Sequence, residues 1–313
     1  MNISIWLTHP LVKSWNFTEE YKRKLENLLP DCSILLNKNS ESFKKNLEDT
    51  EIAIVWVFKQ NWLRLAPKLK WIATPAAGKD WFTINQPEGM TITYSSFHGK
   101  IITETVIGAM LGFSRGLYFA SKFQDKYLWP RTEIEPYCRT IRGSRVVILG
   151  FGKIGTYIAK LLKPFGAKIT GIKRTSIKKP DFFDQNDNIR TIDDLDIILP
   201  EADHLILALP ADKSTNNILN KERLKLLSKN CFVYNIGRGN AINEIDLANV
   251  LQNGEISGAY LDVFIKEPLD SNSPLRNCPN LLITPHSSAI APIFFELFIK
   301  EFVFKYKQWI EKM

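Results

Sequence analysis

Arg238, Glu267 and His286 are the residues of this chain best suited to acid–base chemistry, and each stands just past a short apolar run. An imidazole titrates near neutrality, so His286 could give a proton in one direction of a reaction and take it back in the other. A carboxylate such as Glu267 on the second ring nitrogen would favour the imidazolium and hold the ring in place. Arg238 could polarise a carbonyl and pair with a carboxylate. Any one of them alone fits a structural role; their delivery by three successive strands to one sheet edge is what suggests a site. His9, His98 and His204 have no such setting, and His204, at the start of an apolar run, fits a buried, hydrogen-bonded role.

A second constellation lies upstream. Gly150, Phe151, Gly152, Lys153, Ile154 and Gly155 follow the apolar run Arg145–Leu149 and open an amphipathic segment. Glycine at these spacings permits a tight strand-to-helix turn, backbone approach to a pyrophosphate and close helix–strand packing, with the anion on the free N–H groups of the helix. In such folds an acidic residue at the end of the next strand bonds the ribose hydroxyls of NAD(H). Here that strand ends in Lys173, Arg174, Thr175 and Ser176, and no carboxylate appears before Asp181. Two cations and two hydroxyls suit a 2′-phosphate, which favours NADP(H) over NAD(H). A solvated basic loop, continued by Lys178 and Lys179, is the other reading.

Positioning these groups requires strands joined by crossover helices, and short apolar runs do alternate with helical patterns throughout. Strands are expected at 3–7, 33–36, 52–57, 70–74 and 90–94 in a first unit, and at 145–149, 169–172, 204–208, 231–235, 258–263 and 281–284 in a second. A long helix should run from about Gly99 to Lys122, with Gly108, Ala109 and Gly112 permitting close packing. The chain has 313 residues, 45% of them hydrophobic, enough for two domains. Four scattered cysteines without CxxC spacing imply neither a metal site nor a disulfide framework. The N-terminus reads as a strand rather than a signal peptide, and no apolar run has the length of a membrane span, so a cytoplasmic protein without membrane partners is expected. The net charge of +8 is spread along the chain without a nucleic-acid-binding motif, and small anionic ligands or a basic surface account for it.

Read in order, Ala76–Asp80, Ile102–Glu104, Gly150–Gly155, Leu209–Pro210, Asn235–Gly239, Asp262–Leu269 and Thr284–His286 resemble the D-isomer-specific 2-hydroxyacid dehydrogenases over nearly the whole chain. The resemblance implies an α/β fold of two Rossmann-like parallel-sheet domains. A dinucleotide-binding domain (residues 99–285) would be inserted in a flavodoxin-like substrate domain (1–98 and 286–313), with a cleft between them and a homodimer as the usual assembly. It further implies interconversion of a 2-keto acid and a D-2-hydroxy acid, with Arg238, Glu267 and His286 catalytic and the N–H groups of Ala77 and Gly78 on the substrate carboxylate. Leu209, Pro210, Ile236 and Gly237 would join the cofactor side, and Asp262 would face the nicotinamide carboxamide. Ala77 and Gly78 could instead be a turn, Asp262 a strand-end cap, and Gly237 and Gly239 a matter of backbone geometry. Trp56, the sequence at 173–175 and the length look most like the glyoxylate/hydroxypyruvate reductase branch. Lys79 and Trp81 depart from the familiar pattern, and Trp56, Phe58, Trp81 and Phe82 could line an apolar pocket, with Lys59 or Lys79 on a second anion. A dinucleotide-sensing interaction protein without turnover is the competing function, and formate oxidation a third.

Overall fold

The computed structural model describes every residue except 80–83, 125–128, 176–177 and 313. The chain divides into two compact units, Met1–His98 with Ala289–Met313, and Gly99–Ser288.

The first unit carries a five-stranded sheet of β1 (Asn2–Trp6), β2 (Ser33–Leu36), β3 (Ile52–Val55), β4 (Trp71–Thr74) and β5 (Thr91–Tyr94). Every pairing is parallel, and the order is β2-β1-β3-β4-β5. That is the flavodoxin-like order. Fully apolar runs such as Ile52–Val55 become buried central strands because both sheet faces are covered. One face packs on the helix Phe294–Ile310, where Trp71 stacks on Phe302 at 5.1 Å between ring centroids. Phe43, Phe58 and Trp62 fill the core on the other face.

The second unit contains β6 (Arg145–Leu149), β7 (Lys168–Lys173), β8 (Asn188–Thr191), β9 (His204–Leu207), β10 (Phe232–Asn235), β11 (Gly258–Leu261) and β12 (Leu281–Ile283). They form a parallel sheet in the order β12-β11-β10-β9-β6-β7-β8. Counted from β6, this is the doubly wound dinucleotide-fold order with one further strand, and the chain reverses its direction of travel between β6 and β9. Register is level across that switch: Leu149, Leu207, Asn235, Leu261 and Ile283 form a single row. Whatever follows each of these residues therefore emerges along one edge.

Two expectations are corrected. The long helix ends at Ser114 and resumes as Leu117–Ser121, because Gly116 adopts a left-handed φ of 68° that no helix interior tolerates. Its close approach is at Gly99 rather than at Gly108 or Gly112: a Cβ on Gly99 would lie 2.6 Å from the Tyr157 ring, whereas at the other two it would meet nothing within 4 Å. Among the described residues no helix is long and apolar enough to cross a membrane, and no group of three or more His, Cys, Asp or Glu could hold a metal ion. All four cysteines are free thiols.

Candidate active site

The glycine turn sits at the switch point. Gly150 has a φ of 96°, and a Cβ there would lie 2.6 Å from the Ala208 carbonyl oxygen at the end of β9. A Cβ on Gly155 would meet the Gly150 carbonyl oxygen at 2.7 Å, so this glycine brings the helix Lys153–Leu162 down onto the turn. Gly152 is different: a Cβ there would meet nothing within 4 Å. No protein packing requires that glycine, and its bareness leaves room for a phosphate at the helix N-terminus.

A cavity of about 380 Å³ opens on this turn, within the usual range for small-ligand sites. Of the sequence-predicted cofactor residues, Gly150, Phe151, Gly152, Lys173, Arg174, Leu209 and Pro210 line it. Phe151 can offer only backbone, since its ring is buried beneath Gly171. Lys153, Ile154, Gly155, Thr175, Ile236, Gly237 and Asp262 are not in the lining. Asp212, Ser214 and Thr215 also line it and had no sequence signal beyond their polar loop. Bonds from the Ser214 hydroxyl and N–H, with the charge of Arg174 behind them, hold the Asp212 carboxyl below its usual range. Basic and hydroxyl groups in the lining, beside the glycine turn that opens the helix Lys153–Leu162, suit a dinucleotide.

Along the same edge, Gly237 and Gly239 prove to be matters of approach. A Cβ on Gly237 would lie 2.5 Å from the Leu209 carbonyl oxygen, and one on Gly239 only 2.0 Å from the Phe264 carbonyl carbon. Asn235 fixes the intervening turn, accepting from the Gly237 N–H at 3.2 Å and donating to the Arg238 carbonyl at 3.0 Å. The Arg238 guanidinium donates to the Gly237 carbonyl at 2.9 Å.

His286 and Glu267 meet directly, with His286 Nδ1 2.8 Å from Glu267 Oε2. Glu267 Oε1 accepts from the Phe264 N–H at 3.0 Å. Partial burial pushes the Glu267 carboxyl up, but bonds from His286 and Phe264 and the charges of His286 and Arg238 outweigh it, and the group sits below the usual glutamate range. The three expected residues thus share one electrostatic neighbourhood. His286 has a φ of 50°, an uncommon conformation for a side chain other than glycine.

Asp262 holds that conformation. Its carbonyl accepts the His286 N–H at 2.8 Å. Its fully buried carboxylate accepts the Ser287 N–H at 2.8 Å, the Ser288 N–H at 3.1 Å and the Thr284 hydroxyl at 2.5 Å. Since Thr284 donates to Asp262, Tyr260 must be the donor in its 2.8 Å bond to Thr284 Oγ1. These bonds give Asp262 the strand-end capping role. Glu244, the first residue of the helix Glu244–Gln252, accepts the Ile265 N–H at 2.7 Å and lies beside Glu267. From sequence it reads only as an acid at a helix start.

In the first unit, Ala77 and Gly78 follow β4, with Ala77 exposed and Gly78 partly so. Thr74 and Ser95 brace the segment, Thr74 Oγ1 accepting from the Ala76 N–H at 3.1 Å and the Ala76 carbonyl accepting from the Ser95 N–H at 2.9 Å. Phe58 is core, not pocket, and the Trp56 indole donates to the Trp15 carbonyl at 3.2 Å beside Phe294. Lys59 lies over the Trp62 ring and Lys79 is exposed. Asp80, Trp81, Phe82 and Ser176 fall outside the described residues. His204 is buried as expected, with Nδ1 3.0 Å from the Tyr234 hydroxyl.

The family described as D-isomer specific 2-hydroxyacid dehydrogenase, NAD binding domain, matches residues 107–288. A D-isomer specific 2-hydroxyacid dehydrogenase family protein of Aeromonas salmonicida superposes on the chain with a TM-score of 0.83 and 30% identity, covering 100% of this chain and 96% of that one. Glyoxylate reductase of Thermofilum pendens is 31% identical over 71% of this chain and 66% of its own length. Glycerate dehydrogenase of Methylorubrum extorquens is 27% identical over 88% of this chain and 84% of its own. Fold and likeness together define a nicotinamide-dinucleotide-dependent oxidoreductase. More narrowly, the chain belongs to the D-isomer-specific 2-hydroxyacid dehydrogenases and is an NAD(P)-dependent enzyme acting on small 2-keto and 2-hydroxy acids. The sensing protein without turnover is not favoured.

Proposed function

We propose that the enzyme reduces a short 2-keto acid, glyoxylate, hydroxypyruvate or a close analogue, to the D-2-hydroxy acid, with NADP(H) preferred over NAD(H). The observation that carries this reading is the 2.8 Å contact of His286 Nδ1 with Glu267. With Nδ1 committed to the carboxylate, Nε2 is the ring nitrogen left to face a substrate oxygen. Glu267 favours the imidazolium, and His286 delivers its proton to the carbonyl oxygen as the alcohol forms. Arg238 polarises that carbonyl and pairs with the substrate carboxylate. Asp262, its buried carboxylate taken up by Ser287, Ser288 and Thr284, fixes the backbone that aims the imidazole, and Ile236 would stand on the nicotinamide side of the bound cofactor. When bound, the cofactor supplies the hydride. Lys173, Arg174 and Thr175 receive the 2′-phosphate. The names of relatives acting on glyoxylate and glycerate support the substrate class.

Initial rates of NADPH and NADH oxidation with glyoxylate, hydroxypyruvate, pyruvate and phenylpyruvate test the assignment, together with His286→Asn. Turnover should be fastest with a short keto acid and NADPH. His286→Asn should lower kcat on the order of a hundred- to ten-thousand-fold with dinucleotide affinity nearly unchanged. A variant that keeps its turnover would remove His286 as the proton donor.

A further inference from the structure

Consecutive backbone amides bring two carboxylates side by side behind the histidine. The Phe264 N–H donates to Glu267 Oε1 at 3.0 Å and the next N–H, of Ile265, to Glu244 Oε1 at 2.7 Å. The same turn is where Gly239 presses its bare Cα against Phe264, so the Arg238 loop rests on it as well. Glu244 is anchored independently, on a helix whose N-cap Asn243 accepts from the Ile245 and Asp246 N–H groups, each at 3.1 Å.

We infer that Glu244 is a positioning residue for the proton relay: it holds the 264–267 turn that presents Glu267 to His286, and its carboxylate adds negative charge beside that pair. The inference rests on the proposed role of the His286–Glu267 pair. The charged groups around that pair are Arg238 and His286 towards Glu267, Glu267 towards Glu244, and the Asp262 carboxylate within the His286 loop. Burial and the neighbouring Glu267 charge together push the Glu244 carboxyl up, while the Ile265 N–H opposes them. Glu244 opens the helix Glu244–Gln252, where the helix dipole favours a negative charge. An anion near an imidazolium stabilises it.

The test is the pH profile of kcat/KM for keto-acid reduction in Glu244→Gln. Glutamine keeps an oxygen for the Ile265 N–H and drops only the charge. Because reduction needs the protonated imidazole, the alkaline limb should move down by about half a pH unit. A limb coinciding with that of the unaltered enzyme would overturn the inference, since a merely structural glutamate predicts no shift. Carboxyl ¹³C titration of the unaltered protein gives an independent reading should the variant fold poorly. It should show Glu244 and Glu267 titrating in coupled steps, and an independent, ordinary Glu244 curve would also overturn it. His286→Asn and Glu267→Gln serve as controls. If they retain turnover, the relay reading fails regardless of Glu244; if they abolish it and the Glu244→Gln limb stays put, only this inference fails.

Discussion

His204 and His286 are both strand-end histidines, and burial separates their fates. His286 is exposed beside a carboxylate, whereas His204 is sealed between Tyr234 and Phe232, and burial pulls its imidazole down to about 4 despite the opposing charge of Asp203. The folded protein therefore prefers neutral His204, while the unfolded chain protonates it near 6.5. Stability is complete above the unfolded value and is lost as pH falls from there towards 4. Between pH 7 and 5 the loss from this group should be about 2 kcal/mol. Urea midpoints of the unaltered protein and of His204→Asn at both pH values measure it; equal acid losses would mean that His204 is not buried neutral. Burial of this kind was legible, because a histidine that opens an apolar run stands at the start of a buried strand. The role of Glu244 was not, because its partner, the Ile265 N–H, is a main-chain group that no side-chain pattern advertises.

Among the elements, strands with apolar centres were readable to within a residue or two, since a strand covered on both faces must be apolar throughout. β8 escaped notice because Asn188–Thr191 is an edge strand with mixed polarity, including the charged Arg190. The break at Gly116 escaped because glycines inside the helix and the one that ends it look alike in sequence. Glycines of the site differ in the same hidden way, and substitution separates them. Gly239→Ala forces a methyl into the Phe264 backbone and should destabilise the second unit by several kcal/mol, beyond ordinary overpacking. Gly152→Ala meets open space and should cost only about 1 kcal/mol, the preference of an N-cap for glycine over alanine. Its dinucleotide affinity should nonetheless fall at least tenfold, because the methyl occupies the approach to the phosphate. Thermal unfolding and fluorescence titration of the two variants read the contrast; unchanged NADPH affinity in Gly152→Ala would place the pyrophosphate elsewhere.

For the molecule as a whole, a net charge of +8 attracts every anionic ligand, whereas Lys173 and Arg174 act on whatever lies in one cavity. Salt tells the two apart, since at 0.1 M the screening length is about 10 Å and the diffuse field is largely lost. NADPH carries the extra phosphate, so its KM should rise more steeply with salt than that of NADH. If the overall field caused the difference, replacing two of the chain's 41 lysines and arginines would barely change it. If the strand-end pair causes it, Lys173→Gln with Arg174→Gln should bring the two salt slopes together and raise the NADPH KM at least tenfold, with little effect on NADH. Parallel slopes in the unaltered enzyme would mean that the 2′-phosphate is not read by charge, and the preference for NADP(H) would fall with it. The keto-acid KM should weaken with salt equally in both proteins, because Arg238 and the field are the same in each.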